Sequence, residues 1–318
     1  MKRTLFLLFV FIFVSCSNDD ATDTNVNSIN INDLSGAFNL FPLAINPEFT
    51  SVSEVNIGNN SLVGIVSFGN TLRVFPYVFM THNEIVNDEF QGVKYAFSYC
   101  PITKSSVAFK RNGIFRASGY LFNDNLTPWD EETETIWSQM LLKGIIGEKE
   151  NISFNTIPVV ETTWKTVKDF FPNAEVVTAD LFLTRSSSPP DDEGNSNNGN
   201  SPELNDFVYG IVTGNKATIF KYADFSNSSV INKTIQGQKY IVFGYSGRKI
   251  INAFKVDSFE NYSSLEGEFP FIIKNLSGVK FDIFGRGTNG AKLQKPEFAY
   301  VAIWNAWLAF YENFEFEE

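Results

Sequence analysis

The segment GNTLRVFPYVFMTHNEIVNDEFQGVKYAFSYCPITKSSVAFK, residues 69–110, recurs along the chain as GNKATIFKYADFSNSSVINKTIQGQKYIVFGYSGRKIINAFK, residues 214–255. The two align without gaps at an offset of 145, and 13 of 42 positions are identical, among them Gly69/Gly214, Asn70/Asn215, Phe75/Phe220, Tyr77/Tyr222, Gln91/Gln236, Gly92/Gly237 and Tyr95/Tyr240. Unrelated segments of this length share roughly two or three identities, so the pattern reads as an internal duplication. At an offset of 140, Trp164, Phe170, Asn173 and Glu175 match Trp304, Phe310, Asn313 and Glu315. The repeat thereby extends over most of each half.

Local patterns predict the same elements in both copies. Leu62–Phe68 and Leu72–Tyr77 flank Gly69-Asn70, and Gly and Asn supply the positive φ of a tight hairpin turn. Val93–Tyr99 and Val107–Lys110 are aromatic and β-branched, as strands are. Thr163 can cap a helix carrying Trp164, Val167 and Phe171 on one face, and Pro172 ends it. The second copy of that face runs through Trp304, Trp307, Leu308 and Tyr311. The expected fold is α+β and β-dominated: two tandem copies of a strand-rich unit, each closed by an amphipathic helix whose aromatic face covers the sheet.

The N-terminus pairs Lys2 and Arg3 with an apolar run from Leu5 to Val14 and the small-residue site Val14-Ser15-Cys16. That run is too short to span roughly 30 Å of hydrocarbon, and it reads as a signal peptide over residues 1–15. A cysteine at the cleavage point resembles the lipobox of bacterial lipoproteins, with Cys16 acylated, although Phe13 stands where Leu is usual. The polar tether of residues 16–32, opening on Ser17-Asn18-Asp19-Asp20, resembles those that carry some Bacteroidetes lipoproteins to the cell surface. Localisation in the outer membrane, held by lipid, is the expectation. The first repeat half is assigned to 33–184, a flexible linker of Ser, Asn, Gly, Pro and acids to 185–203, and the second half to 204–318. Removing Lys2 and Arg3 takes the formal charge from −11 to −13, which argues against nucleic acid as a partner. With Cys16 acylated, Cys100 has no intramolecular thiol partner, so the core must hold the fold unaided.

Several stretches at consistent spacing then carry a likeness: Asn46-Pro47-Glu48-Phe49, His82-Asn83-Glu84-Ile85-Val86-Asn87-Asp88, Tyr99-Cys100-Pro101-Ile102-Thr103, Ser118-Gly119-Tyr120-Leu121-Phe122-Asn123, Trp137-Ser138-Gln139 and Thr163-Trp164. Together they resemble the family catalogued as domain of unknown function 3179, over nearly the whole mature chain. The likeness implies kinship without an activity. Three positions depart from the family pattern: Lys104 replaces a Gly, Asp130-Glu131 replaces an acidic-basic pair, and Pro128-Trp129 replaces Met-Tyr.

His82 is the only histidine, and Cys100 the only cysteine besides Cys16. Their aligned counterparts are Asn227 and Tyr245, so the titratable pair occurs in one half alone. They lie at equal sequence distances from Gln91, and a reversal there would bring them face to face. An adjacent imidazole lowers a thiol pKa, as nucleophilic cysteines require. The candidate catalytic set is therefore Cys100 as nucleophile or ligand, His82 as base or co-ligand, and Glu84 or Asp88 orienting the imidazole, with Asn87, Asn123 and Ser138 as polar lining. Two other readings stand beside it: a thiophilic metal on His82, Cys100 and a carboxylate, and an inert buried cysteine. The acids Asp124, Asp130, Glu131, Glu132 and Glu134 form a second candidate, a carboxylate-rich loop. No phosphate loop, dinucleotide fingerprint or serine elbow occurs, and the cofactor and the reaction class both stay open. The competing function is a non-enzymatic surface module that binds a protein or glycan.

Overall fold

In the computed structural model, residues 29–178, 202–225 and 228–316 are described. The signal peptide, Cys16, Asn227 and nearly all of the linker lie outside them. No helix among the described residues is long and apolar enough to cross a membrane.

The architecture is β-dominated, with several sheets. In the first half, Gly69-Asn70 does turn a hairpin, Leu62–Phe68 against Thr71–Pro76. The second strand stops one residue earlier than predicted, because Tyr77–Met80 forms one helical turn after Pro76. The sheet order is Val159–Thr163, Leu62–Phe68, Thr71–Pro76, Glu175–Val177 and Phe49–Ser51. In the second half, Ala299–Ile303, Phe207–Thr213, Lys216–Lys221 and Asn313–Phe316 keep the same order. In both sheets the outer strand joins its hairpin antiparallel, and the strand after the helix joins parallel.

Each half also carries an antiparallel three-strand run: Ile85–Phe90, Val93–Cys100 and Ser105–Lys110 in the first, Ser229–Ile235, Gln238–Tyr245 and Ile250–Val256 in the second. Past this run the halves diverge. The first continues into Phe115–Phe122, Asn125–Asp130, Thr135–Ser138 and Lys143–Ile146, and the second into the small sheet Tyr262–Ser264, Phe271–Asn275 and Lys280–Asp282.

The helix Trp164–Phe170 starts where Thr163 Oγ1 accepts the Thr166 amide at 3.3 Å. Its mate Trp304–Phe310 has Ile303 at that position and no side-chain cap. There the Trp304 and Asn305 amides donate instead to the carbonyls of Asp206 and Leu204, both at 2.8 Å. Trp164, Val167, Trp304 and Trp307 are buried as the patterns predict, but Leu308 is 45% exposed. Four side chains cannot all face inward from so short a helix. Trp307 reaches the core only because Gly210 opposite has no side chain; a Cβ there would sit 2.4 Å from the indole.

The halves do not own separate cores. One hydrophobic cluster joins Phe75, Tyr77, Phe97 and Tyr99 to Phe207, Tyr209, Phe220 and Tyr222, and a second joins Trp137 and Met140 to Trp304 and Trp307. A sheet covered on one face must bury its other face, and here the two halves supply each other's cover. A polar tie crosses the same seam. Tyr77 and Tyr222, which align with one another at the offset of 145, both donate to the buried carboxylate of Glu161, at 2.9 and 3.4 Å.

Candidate functional site

The turn that positions the expected site is Gln91-Gly92, both at positive φ (50° and 77°). It pairs Phe90 with Val93 and Ile85 with Ser98. Carried onward, this register places Asn83 across from Cys100, with His82 one position further along. The equal spacing about Gln91 misses by one residue because the turn is centred between two residues, and in a strand one residue reverses the side-chain face. The ladder ends at Glu84: its carbonyl still accepts the Tyr99 amide at 2.8 Å, but it stands at φ 58° and its own amide donates to the Met80 carbonyl at 2.7 Å.

Cys100 is 1% exposed. Burial pushes its thiol above the ordinary value, while Thr103 and the Leu126 backbone act weakly the other way, and His82 is not among the groups that act most on it. The thiol is protonated at neutral pH and faces the Asp124 carbonyl, at 4.0 Å from sulfur. His82 is half-buried in the turn after the short helix. Burial raises the Glu84 carboxyl to about 7, so it holds its proton near neutrality instead of orienting an imidazole by charge. A thiolate nucleophile thus lacks its chemical conditions. The native protein is expected to resist iodoacetamide at pH 7–8 and to label fully in denaturant; rapid native labelling, measured by intact mass, would contradict the closed geometry.

What the motifs do build is a buried polar cage. Ser105 Oγ and Asn125 Nδ2 both donate to Gln139 Oε1, at 2.8 and 2.9 Å. Gln139 Nε2 donates to Ser98 Oγ at 3.0 Å, and Asn125 Nδ2 also reaches Thr103 Oγ1 at 2.8 Å. All five residues are at most 2% exposed. The cage locks three strand segments together, and buried polar groups with every partner in place specify one arrangement. Lys104 closes its tight turn at φ 54°, and Lys249, its counterpart, stands at φ 53°. That left-handed backbone explains why glycine is the residue usual in the family at this position.

The remaining expected lining residues scatter. Asn87 is fully buried and braces two backbones: Nδ2 donates to the carbonyls of Ala44 and Phe115, and Oδ1 accepts the Phe115 amide at 2.9 Å. Asn123 lies on the surface and donates to the Ala309 carbonyl at 2.7 Å. Ser138 is buried and accepts the Leu141 amide at 3.1 Å. Asp88 pairs with Arg73 and takes the Tyr95 hydroxyl. Among the described residues, no group of three or more His, Cys, Asp or Glu side chains is placed to hold a metal ion.

The acids read as one loop are split by structure. Asn123 and Asp124, at φ 48° and 60°, turn a hairpin, and Asn125–Asp130 is a strand despite Pro128, where the pairing register shifts. Asp130 ends that strand and holds the next turn, accepting the Glu132 amide at 3.1 Å and the Thr133 hydroxyl at 2.8 Å. Beside this turn lies an open cleft of about 540 Å3, walled by residues 110–112, by Asp130, Glu132 and Thr133, and by residues 148–149 and 152–155. Its floor is aromatic: Trp137 stacks on Phe154 at 4.3 Å, and Phe115 packs edge-on. On its rim Lys149 pairs with Glu148 at 2.8 Å and feels the charges of Asp130 and Glu132, while Arg111 lines the wall with its guanidinium bonded to the carbonyls of Tyr95, Gly113 and Asp88. The Trp137 indole N–H is buried without a hydrogen-bond partner. The sequence signal for this cleft was the cluster of acids near Trp137, and its walls from residues 148–149 and 152–155 carried none.

Fold and site together define a β-dominated protein whose motifs build an internal polar cage instead of an exposed catalytic dyad. The chain belongs to the family described as protein of unknown function DUF3179, whose model matches residues 39–314. No curated protein and no solved structure gives a match.

Proposed function

We propose that this chain is a lipid-anchored binding protein of the cell envelope, acylated on Cys16 and held at the outer membrane, which takes a glycan in the cleft beside Trp137. The observation that carries the binding reading is the cleft itself. Its volume, about 540 Å3, lies in the range of ligand pockets. Side-chain amides, hydroxyls and charges of both signs surround an aromatic floor, a combination that suits a ligand dense in hydroxyl groups. The closed thiol at Cys100 supports a non-enzymatic role over the thiol-imidazole reading. The halves are tandem copies in this reading, and only the first acquired the sheet that forms the cleft.

Titration of oligosaccharides of envelope and host type into the fragment lacking residues 1–16, by calorimetry, tests the ligand. Binding is expected, with Glu132→Gln and Lys149→Ala each weakening it by about tenfold, or about 1.4 kcal/mol. Absence of binding across neutral and acidic glycans, with the fold intact, would overturn it. Labelling of the full chain in cells with an alkynyl fatty acid, lost in Cys16→Ser, checks the anchor.

A further inference from the structure

A second hollow lies on the seam between the halves, away from the cleft. It is a crevice of about 40 Å3 lined by Ser106, Pro158 and Glu161 from the first half and by Tyr209, Asn252 and Lys295 from the second. Lys295 also lines a neighbouring cavity of about 150 Å3, where Arg286 and Lys292 are the other cations. The lysine therefore stands between two spaces, with part of its surface open to solvent.

Its backbone is held on both sides. The Gln294 carbonyl accepts the Lys255 amide at 2.7 Å, and the Leu293 amide donates to the Gly285 carbonyl at 2.9 Å. Its amine is left without a counter-ion: among the described residues it makes no salt bridge, and its Nζ lies over the Phe254 ring, 5.8 Å from the ring centre. Asp282 is close enough to attract it, but both available contacts of that carboxylate oxygen go to Arg286, at 2.7 Å each. An unpaired, partly buried amine beside another cation is the setting in which a lysine loses its proton near neutrality and becomes a nucleophile. Burial lowers this amine to about 7, the Arg286 charge acts in the same direction, and Asp282 opposes them.

We propose that Lys295 is a reactive amine that forms a Schiff base with a small oxo acid, whose carboxylate is drawn by Lys292. The neutral amine nitrogen adds to the carbonyl carbon. The carbinolamine then loses its hydroxyl as water, using one proton from solvent, and a protonated C=N bond remains. Oxidation state does not change, so no further reactant is needed. The 150 Å3 cavity has room for a small oxo acid, and Lys292 at its exposed edge gives the anion an entry path.

The test is reductive trapping on the full chain, with glyoxylate or pyruvate as probe and cyanoborohydride as reductant, and peptide mapping of the product. At pH 7 Lys295 is expected to label at least tenfold faster than exposed lysines such as Lys274, with a rate that rises through a midpoint near 7. Lys292→Ala should slow trapping of glyoxylate severalfold and leave that of neutral propanal unchanged. Wild-type mapping needs no folded variant, and Lys295→Arg serves as the negative control. Labelling of Lys295 at the same rate as the exposed lysines, or a midpoint near that of an ordinary lysine, would overturn the proposal. Equal effects of Lys292→Ala on both probes would remove the oxo-acid assignment.

Discussion

Trp307→Ala is expected to lower the unfolding free energy by about 3–5 kcal/mol, the cost of emptying a large buried aromatic site that cannot collapse. Trp307 is fully buried, stacks on Tyr300 at 4.8 Å and packs beside Tyr311 at 5.4 Å. Both tyrosine hydroxyls donate to the Met140 carbonyl, at 2.6 and 3.0 Å, so the indole supports a contact between the halves as well as its own helix. For a chain of this size the melting temperature should fall by roughly 10 °C. Gly210 supplies the control. Gly210→Ala would press a methyl to 2.4 Å from the indole and should cost about 1–3 kcal/mol by overpacking. In the Trp307→Ala background that clash has no partner, so the glycine substitution should become nearly neutral. Denaturant melts of the four proteins measure the cycle, and simple addition of the two costs would show that the close approach does not govern packing here.

Glu84→Gln is expected to flatten the acid side of the stability profile and to stabilise the protein above pH 7. Burial raises this carboxyl from 4.5 to about 7 in the folded chain. Between those values the folded state holds a proton that the unfolded state has lost, so stability falls as pH rises through the window. Below about 4.5 both states are protonated and the penalty is absent; above 7 it is complete, at roughly 3 kcal/mol. Lys295 acts in the opposite sense. Its amine is lowered from 10.5 to about 7, so the unfolded state binds the extra proton and stability rises with pH between those values. The two contributions together place a minimum near neutrality. Urea melts from pH 4 to 10 should show Glu84→Gln exceeding the wild type increasingly from pH 5 to 8, with the alkaline limb raised but its slope unchanged. Parallel profiles for the two proteins would mean that ionised Glu84 carries no penalty.

Much of the strand layout was legible because single residues dictate it. Gly69-Asn70 and Gly214-Asn215 mark turns that only positive φ can make, and Thr163 before Trp164 marks a helix start whose cap bond is present. The site was less legible, since its geometry hangs on one residue of register. Gln91-Gly92 identified the reversal, but not whether the ladder was centred on Gln91 or on the bond after it. The acidic stretch, read as one loop, holds the strand Asn125–Asp130, and the pairing shifts its register between Leu126 and Pro128, which have no acidic signal to mark them. The sharing of the core had no local signal at all. The alignment at an offset of 145 matches Tyr77 to Tyr222, and only the packed chain brings them to one carboxylate.

The parallel strands that complete the two main sheets come late in their halves, Glu175–Val177 in the first and Asn313–Phe316 in the second. A growing chain therefore cannot seal either sheet until the last segment of that half has arrived. A product stopped before residue 313 would leave Lys216–Lys221 with an open row of amides and carbonyls along buried Ala217, Thr218 and Ile219. Incomplete molecules then advertise themselves as sticky strand edges to proteases and chaperones, and the fold carries its own check that synthesis has run far enough.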